Sequence, residues 1–376
     1  MKEIALIGFV QTIFYSLLLL VKKQKKAHDY LLIVFILFVG AELLYRHLLL
    51  LGYEADNRWL VLFDTIYWAL FGPVTLFYYM TIVGKVRWLK NIHAIHLIPL
   101  LVSLLSVAGF LSPHTASQSF IDYFNNSNGL TKVGLNIWEY TSPLYLLYVF
   151  LLLRKHNRSV KNHYSNVSGR DLRWLTMLVF GMLVYCLASY LLWFTESLFN
   201  FEFGISPLYI LPGFLTLYVF FVGFYGFRQG PIVFASSAAD AAQSRHADHK
   251  YSKSGLHDGE RKALVSGLKK LMEEEKPYLD NDLTITHLAV KLNTNLYKLS
   301  QVINESLNQT FYDLINSYRI EESKRLLQGP EAGKYTITSI AQDAGFTSKS
   351  AFYSAFRRKT GMTPGEYMER MRVEAI

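Results

Sequence analysis

Residues 288–293 read LAVKLN and residues 340–345 read IAQDAG, and this echo decides how the C-terminal part of the chain folds. In each copy a small residue stands where a second helix must cross closely. The last residue of each copy is of a type that tolerates the left-handed backbone of a tight turn. The echo therefore predicts two helix-turn-helix units, with small residues Ala289 and Ala341 and turn residues Asn293 and Gly345.

The residues around the two units predict an all-α domain, since no alternation typical of strands follows them. Between the units, apolar residues from Phe311 to Leu327 follow a helical period and predict a connecting helix of about five turns. After the second unit, Thr363 to Glu366 has the S/T-x-x-E capping pattern with proline at the first helical position. The predicted core anchors of the second helices are Leu299, Val302, Ile303, Phe352, Ala355 and Phe356.

Residues 1–228 have a different character. The chain is 51% hydrophobic and only 18% charged, where a soluble domain carries roughly 25% charged residues. A helix needs roughly 20 mostly apolar residues to cross a bilayer. We predict a seven-helix transmembrane bundle in 1–228, a flexible cytoplasmic linker in 229–258 and a double helix-turn-helix domain in 259–376. The predicted spans are about 4–21, 30–52, 60–84, 94–112, 138–153, 174–196 and 206–227.

The net charge of +9 suggests an anionic partner, nucleic acid or membrane, without choosing between them. The excess lies mainly in 1–228, with 18 Lys+Arg against 11 Asp+Glu. These cations gather in the first, third and fifth loops, and short cytoplasmic loops are enriched in Lys and Arg. We therefore expect a multi-pass membrane protein with its N-terminus outside and its C-terminal domain in the cytoplasm.

A few polar groups fall inside the predicted spans. Glu42 and Arg46 are four residues apart and can meet on one helix face. They are the candidate signal-sensing residues, as a polar anchor for a ligand or a switch between packings; the alternative is a self-neutralised structural pair. His93 and His96 lack a third ligand, and the single cysteine, Cys186, excludes an intrachain disulfide framework. We expect neither a metal site nor a cofactor.

Three motifs in the C-terminal domain carry a family resemblance. They are Asn-x-Tyr-Arg-Ile at 316–320, Ile-Ala-x-x-x-Gly-Phe at 340–346 and Phe-x-x-x-x-Gly-x-Thr-Pro at 356–364. Together they resemble the DNA-binding domain of the AraC/XylS family of bacterial transcription regulators, over roughly 259–372. Common members carry a soluble sugar-binding β-barrel before this domain, whereas this chain resembles membrane-tethered members. The resemblance implies a bacterial inner-membrane location.

The second helix of a helix-turn-helix lies in the major groove with its N-terminal side chains nearest the base edges. Gln301 suits adenine and Lys349 suits guanine, and the resemblance implies base contacts at these same positions. Three cations after the second such helix are expected to contact phosphates. The predicted DNA-binding residues are Tyr297, Lys298, Ser300, Gln301, Lys349, Ser350, Tyr353, Ser354, Arg357, Arg358 and Lys359.

We therefore expect a membrane-embedded, sequence-specific transcription regulator that couples a signal at the membrane to promoter binding, and not an enzyme. The alternative is a transporter or membrane sensor protein with a fused regulatory DNA-binding domain. A sensor kinase is rejected, because no glycine-rich nucleotide loop accompanies a histidine phospho-acceptor. The expected partners are double-stranded DNA, the lipid bilayer, a small-molecule or membrane signal, and a second copy in a homodimer.

Overall fold

The computed structural model divides the chain into two compact units. The first contains Met1–Lys155 and Leu172–Ile232, and the second contains His156–Asp171 and Val233–Ile376. Each unit is described by itself. The structure describes residues 1–23, 25, 27–53, 57–83, 95–112, 114, 120–199, 207–229, 256–329 and 335–374. Most of the predicted linker 229–258 therefore lies outside the described residues.

The first unit is helical throughout its described residues. Three short helices separate its longer ones, and the seventh helix extends past Lys155, so that its last residues belong to the second unit. The helices are α1 (Lys2–Val21), α2 (Ala27–Leu50), α3 (Arg58–Ile82), α4 (Ile98–Ala108), α5 (Phe120–Asn126), α6 (Gly129–Leu135), α7 (Ile137–His163), α8 (Arg173–Phe199) and α9 (Pro207–Arg228).

Five helices in the described part of the chain are long and apolar enough to cross a membrane: α1, α2, α3, α8 and α9. The predicted spans 94–112 and 138–153 are not among them. Helix α4 has only 11 residues, and tyrosine, serine and proline interrupt the apolar part of α7. The fold is all-helical as predicted, but the count of seven spans is not confirmed.

Small residues bring helices of the first unit close together. A Cβ atom added at Gly8 would clash with the Thr216 hydroxyl oxygen, and one added at Gly40 would clash with that of Thr12. These contacts join α1 to α9 and α1 to α2, as small residues do between membrane helices. Large apolar side chains meanwhile face outward, and Met177 is 74% exposed.

His93 lies outside the described residues, and His96 is engaged in a structural contact: its Nδ1 lies 2.7 Å from the Tyr145 hydroxyl. The described residues contain no group of three or more histidine, cysteine or acidic side chains that could hold a metal.

The second unit contains two helix-turn-helix units joined by one long helix. Its described residues are also helical, apart from an isolated antiparallel bridge between Tyr164 and Thr284. A 3₁₀ turn at Pro277–Leu279 follows the first helix. The helices are α10 (Asp258–Glu274), α11 (Ile285–Lys291), α12 (Leu296–Gln301), α13 (Phe311–Gln328), α14 (Ile337–Asp343), α15 (Lys349–Thr360) and α16 (Pro364–Glu374).

The predicted turns and cap are present. Asn293 and Gly345 adopt positive φ angles of 51° and 90°, the left-handed backbone that each turn needs. In the predicted capping box, the Thr363 backbone N–H donates to Glu366 Oε2 at 2.7 Å and the Glu366 N–H donates to the Thr363 hydroxyl at 3.3 Å. One feature was not predicted: α12 ends in a π-helical turn at Val302–Ser306.

Each helix-turn-helix unit has its own apolar core, and α13 contributes to both. Phe311 and Ile315 pack into the first core, whereas Ile320 and Leu327 pack into the second. The predicted anchors are buried as expected. Because the 18 residues of α13 form one continuous helix, they fix the distance between the two helix-turn-helix units.

Candidate nucleic-acid interface

Both candidate recognition helices begin with a side-chain cap. Asn295 Oδ1 accepts a hydrogen bond of 2.9 Å from the Lys298 N–H at the start of α12. Ser348 Oγ accepts one of 3.2 Å from the Ala351 N–H at the start of α15. Such caps satisfy donors that a helix leaves open at its N-terminus. They fix where each helix starts, and hence which side chains stand in its first turns.

In α12, the predicted DNA-binding residues Lys298, Ser300 and Gln301 already have partners within the protein. The Lys298 ammonium forms an ion pair with Glu260 of α10. Ser300 accepts from the Asn304 amide through both its backbone oxygen and its hydroxyl. Gln301 Nε2 donates to a Glu305 carboxylate oxygen at 3.0 Å, on the surface. To contact adenine, Gln301 must therefore break this exposed hydrogen bond to Glu305 and form bonds to the base instead.

The four predicted residues of α15 stand on its outer side. Lys349, Ser350 and Ser354 are exposed and Tyr353 is partly buried. The Lys349 ammonium lies 5.4 Å from the centre of the Tyr353 ring, a cation–π distance. The ring thus supports the lysine in the first turn of the helix. Base contact by these residues stays a prediction.

The three predicted phosphate contacts, Arg357, Arg358 and Lys359, are exposed at the end of α15. Arg358 Nη2 donates to Asp313 Oδ1 of α13 at 2.9 Å. That ion pair fixes the guanidinium beside the first turn of α13 and partly neutralises it. Arg357 has no recorded ion pair within the described residues, so it is the better candidate for a purely electrostatic contact.

Arg319, at the middle of α13, is the most extensively bonded side chain of the second unit and was not predicted as functional. It is only 2% exposed. Its Nε donates to the Tyr278 carbonyl oxygen at 2.7 Å and its Nη2 to the Asp280 carbonyl oxygen at 2.8 Å. Burial lowers the pKa of Arg319 to about 10, so the guanidinium stays charged at neutral pH and these acceptors compensate for its lost hydration.

Arg319 also binds a segment distant in sequence. Its Nη1 donates to the Ser165 carbonyl oxygen and its Nη2 to the Ser165 hydroxyl, each at 3.2 Å. The Ser165 N–H donates to the Leu283 carbonyl oxygen at 3.1 Å, and Arg170 lies 3.6 Å from Asp282. Residues 156–171, which we call the docking segment, are therefore part of the second unit, an addition to the domain predicted at 259–376.

A buried carboxylate joins the 3₁₀ turn to α13. Glu322 is 8% exposed, and its oxygens accept from Lys276 at 3.1 Å and from Arg325 at 2.6 Å. The hydrogen bond from Arg325, followed by that from Lys276, holds the pKa of this carboxyl below its usual value although burial opposes the shift.

We expect Glu322→Gln to reduce the free energy of unfolding of the second unit by roughly 1–3 kcal/mol at pH 7. Because the folded pKa lies below the unfolded one, the carboxylate stabilises the fold above the unfolded pKa, near 4.5, and this contribution is lost as the pH falls through the folded pKa. Unfolding measured from pH 7 to pH 3 should therefore show the two proteins converging in acid. A constant difference would contradict this assignment.

In the first unit, the candidate signal-sensing residues do meet. Arg46 Nε donates to Glu42 Oε1 at 2.7 Å, and its Nη2 donates to Asp64 Oδ1 at 3.1 Å. Glu42 is fully buried. Asp64, on the next helix, is a third partner that the sequence did not connect to this pair. Arg46 and Asp64 also line a mainly apolar cavity of about 820 Å³, whose wall includes Trp68.

Comparison with known proteins agrees with this geometry. Residues 288–370 match a family model described as a helix-turn-helix domain. The Msm operon regulatory protein of Streptococcus mutans is 27% identical over 29% of this chain and 37% of its own length. The melibiose operon regulatory protein of Escherichia coli is 37% identical over 23% of this chain and 28% of its own length. An uncharacterised HTH-type transcriptional regulator of Staphylococcus aureus is 32% identical over 24% of this chain and 12% of its own length.

The fold and these matches define the second unit as a helix-turn-helix DNA-binding domain. It is a domain of the AraC type, which confirms the AraC/XylS resemblance of this part of the chain. The chain spans about a third of the length of the two operon regulators it matches.

Proposed function

We propose that this protein is a membrane-embedded, sequence-specific transcription regulator, in which a signal received by the first unit alters promoter binding by the second. The observation that carries the proposal is the presence, in one chain, of an AraC-type helix-turn-helix domain and, within the described residues, five helices that are long and apolar enough to cross a bilayer.

Exposed apolar side chains support the membrane location. In each of the five candidate spans, between 17% and 56% of the most apolar 18-residue stretch is buried within the protein. The remainder of these stretches faces outward with leucine, phenylalanine and valine side chains, such as Val21, which is 79% exposed. A surface of this kind is stable in hydrocarbon and costly in water.

Two independent observations support a cytoplasmic side for the second unit. The cation-rich loops predict that the loop carrying Arg158 and Arg170 is cytoplasmic. That same loop contains the docking segment, which belongs to the compact unit that carries the helix-turn-helix domain. A domain that binds chromosomal DNA must lie on the cytoplasmic side of a bacterial inner membrane. The enrichment of Lys and Arg in cytoplasmic loops predicts the same side for this unit.

The polar group formed by buried Glu42 and partly buried Arg46 and Asp64 is the proposed site of signal reception. Two carboxylates and one guanidinium meet beside the apolar cavity. Arginine and aspartate at the wall of an otherwise apolar space suit a ligand with a polar end and an apolar body. A ligand that exchanges hydrogen bonds with Arg46 changes the contact between α2 and α3, and so biases how these helices pack.

The main test uses the full-length protein in lipid nanodiscs with a library of randomised DNA sites. The proposal predicts enrichment of one sequence over random DNA, with an occupancy that changes when a membrane extract or candidate ligand is added. Solute uptake into proteoliposomes without any ligand effect on DNA occupancy would favour a transporter with a fused regulatory domain instead.

We also predict a shallow salt dependence on random DNA. Residues 229–376 carry 20 Lys+Arg and 18 Asp+Glu, and several of these cations are paired, as Arg358 is with Asp313. Because each neutralised phosphate contributes about 0.9 to the slope of log K against log salt, few free cations mean a small slope. Filter binding between 50 and 200 mM salt measures it. A slope as steep as about 10 would contradict the prediction.

A further inference from the structure

A polar groove of about 550 Å³ lies in the second unit. Its wall is formed by the residues that follow α12, by the first turns of α13, by the end of α15 and by Arg158 of the docking segment. It therefore joins parts of both helix-turn-helix units. The docking segment reaches it through the last turns of α7.

The groove is positively charged. Arg158, Arg358 and Lys359 line it together with a single carboxylate, that of Asp313. The N-terminus of α13, an 18-residue helix, opens into the same wall at Thr310 and Asp313. Helix N-termini attract anions because their backbone N–H groups and dipole present partial positive charge. The net field in the groove thus favours an anion.

An unused donor in the wall provides a second, independent observation. Asn316 is 3% exposed, and its amide nitrogen has no hydrogen-bond partner in the structure. Its amide oxygen accepts from Arg319 Nη1 at 3.5 Å, which fixes the nitrogen as the free end. Buried donors are nearly always paired, so this nitrogen indicates that an acceptor oxygen enters the groove.

The docking segment positions Arg158. Ser165 is held to Leu283 through its N–H and to Arg319 through its hydroxyl and carbonyl oxygens. Arg158 stands seven residues earlier, on α7, whose last residue is His163. The same Arg319 that holds Ser165 also holds Asn316. One buried guanidinium thereby orders two parts of the groove wall.

We propose that this groove receives a backbone phosphate of the bound DNA between the two major-groove contacts, and that Arg158 is a phosphate-binding residue supplied by the docking segment. Ser165 acts as the positioning residue. The inference rests on the proposed function, because it requires that the second unit binds duplex DNA. It also explains how a signal could reach the DNA, since a shift of α7 would move Arg158 and thereby a DNA contact.

The experiment uses the full chain in nanodiscs and measures its DNA affinity and the slope of log K against log salt. Both are measured on a DNA site selected from a randomised library and on random DNA. For Arg158→Ala we expect roughly tenfold weaker binding to both DNAs and a slope smaller by about one. Arg158→Lys keeps the charge and should keep the slope. Lys161→Ala is the matched control, since it removes a cation from the same helix that does not line the groove.

Ser165→Pro tests the positioning role, because it removes the N–H that bonds to Leu283. It should lower the slope as Arg158→Ala does, and the double variant should show no further decrease. An unchanged slope in Arg158→Ala, or tighter binding that indicates an occluding segment, would overturn the proposal. A wild-type slope in Ser165→Pro would overturn the positioning role. Failure of the wild type to prefer any selected site would instead refute the proposed function.

Discussion

Replacing Arg319 with alanine is expected to destabilise the second unit by about 3–5 kcal/mol, because the carbonyl oxygens of Tyr278, Asp280 and Ser165 lose their charged donor. For a domain of this size the loss corresponds to an unfolding temperature lower by about 10 °C or more. The mutation also removes the hydrogen bonds that join α13 to Ser165 of the docking segment.

Hydrogen exchange of residues 256–374 in the full chain, measured in detergent or nanodiscs, would reveal this loss. Lys324→Ala is the matched control on the same helix, since its ion pair with Glu321 lies at the surface. Arg319→Lys should fall between the two, because lysine keeps the charge but not the planar set of donors. Equal exchange in Arg319→Ala and Lys324→Ala would refute the role assigned to Arg319.

The second large effect concerns sequence preference. We expect Gln301→Ala and Lys349→Ala to change which bases are selected, with losses of about 1–3 kcal/mol at one position each. Arg357→Ala should weaken binding to all sequences alike, because the contact is with phosphate. The positions differ in the expected way: Lys349 is the first residue of α15 and Gln301 lies within two turns of the start of α12, while Arg357 lies in the last turn of α15.

Selection from a randomised library, followed by affinity measurements on the selected and random sites, separates these outcomes. Glu305→Gln is a useful companion, because it weakens the surface bond that holds Gln301 in the absence of DNA. It should leave the base preference unchanged and strengthen binding modestly. Equal losses on all sequences for all three alanine variants would show that the base-reading residues lie elsewhere.

Local patterns predicted the helix-turn-helix domain well, because the required residue types stand close together in sequence. Asn293 and Gly345 adopt the left-handed backbone of their turns, and Ala289 and Ala341 are buried at 3% and 2% exposure. The cap at Thr363 needs only a residue three positions away. Each of these features is decided within one or two helical turns.

Features that depend on distant contacts were missed. Arg319 belongs to a motif quoted from the sequence, yet its partner Ser165 is 154 residues away. The basic loop that contains Ser165 indicated membrane topology only, not a contact with the helix-turn-helix domain. Asp64 joins Arg46 from a neighbouring helix, which no spacing rule predicts. The count of seven spans is not confirmed among the described residues, where α4 is short and polar residues and proline interrupt the apolar part of α7.

The docking segment has a consequence for how the protein is made and how it can be divided. Ribosomes synthesise residues 156–171 well before α10 to α16, so one piece of the second unit is made first and is completed only when the remainder emerges. A gene fragment cut at the linker would encode the helices but leave Arg319 without Ser165. The two units therefore cannot be exchanged by a cut in the predicted linker alone, and a chimera has to carry residues 156–171 together with the helix-turn-helix domain that they complete.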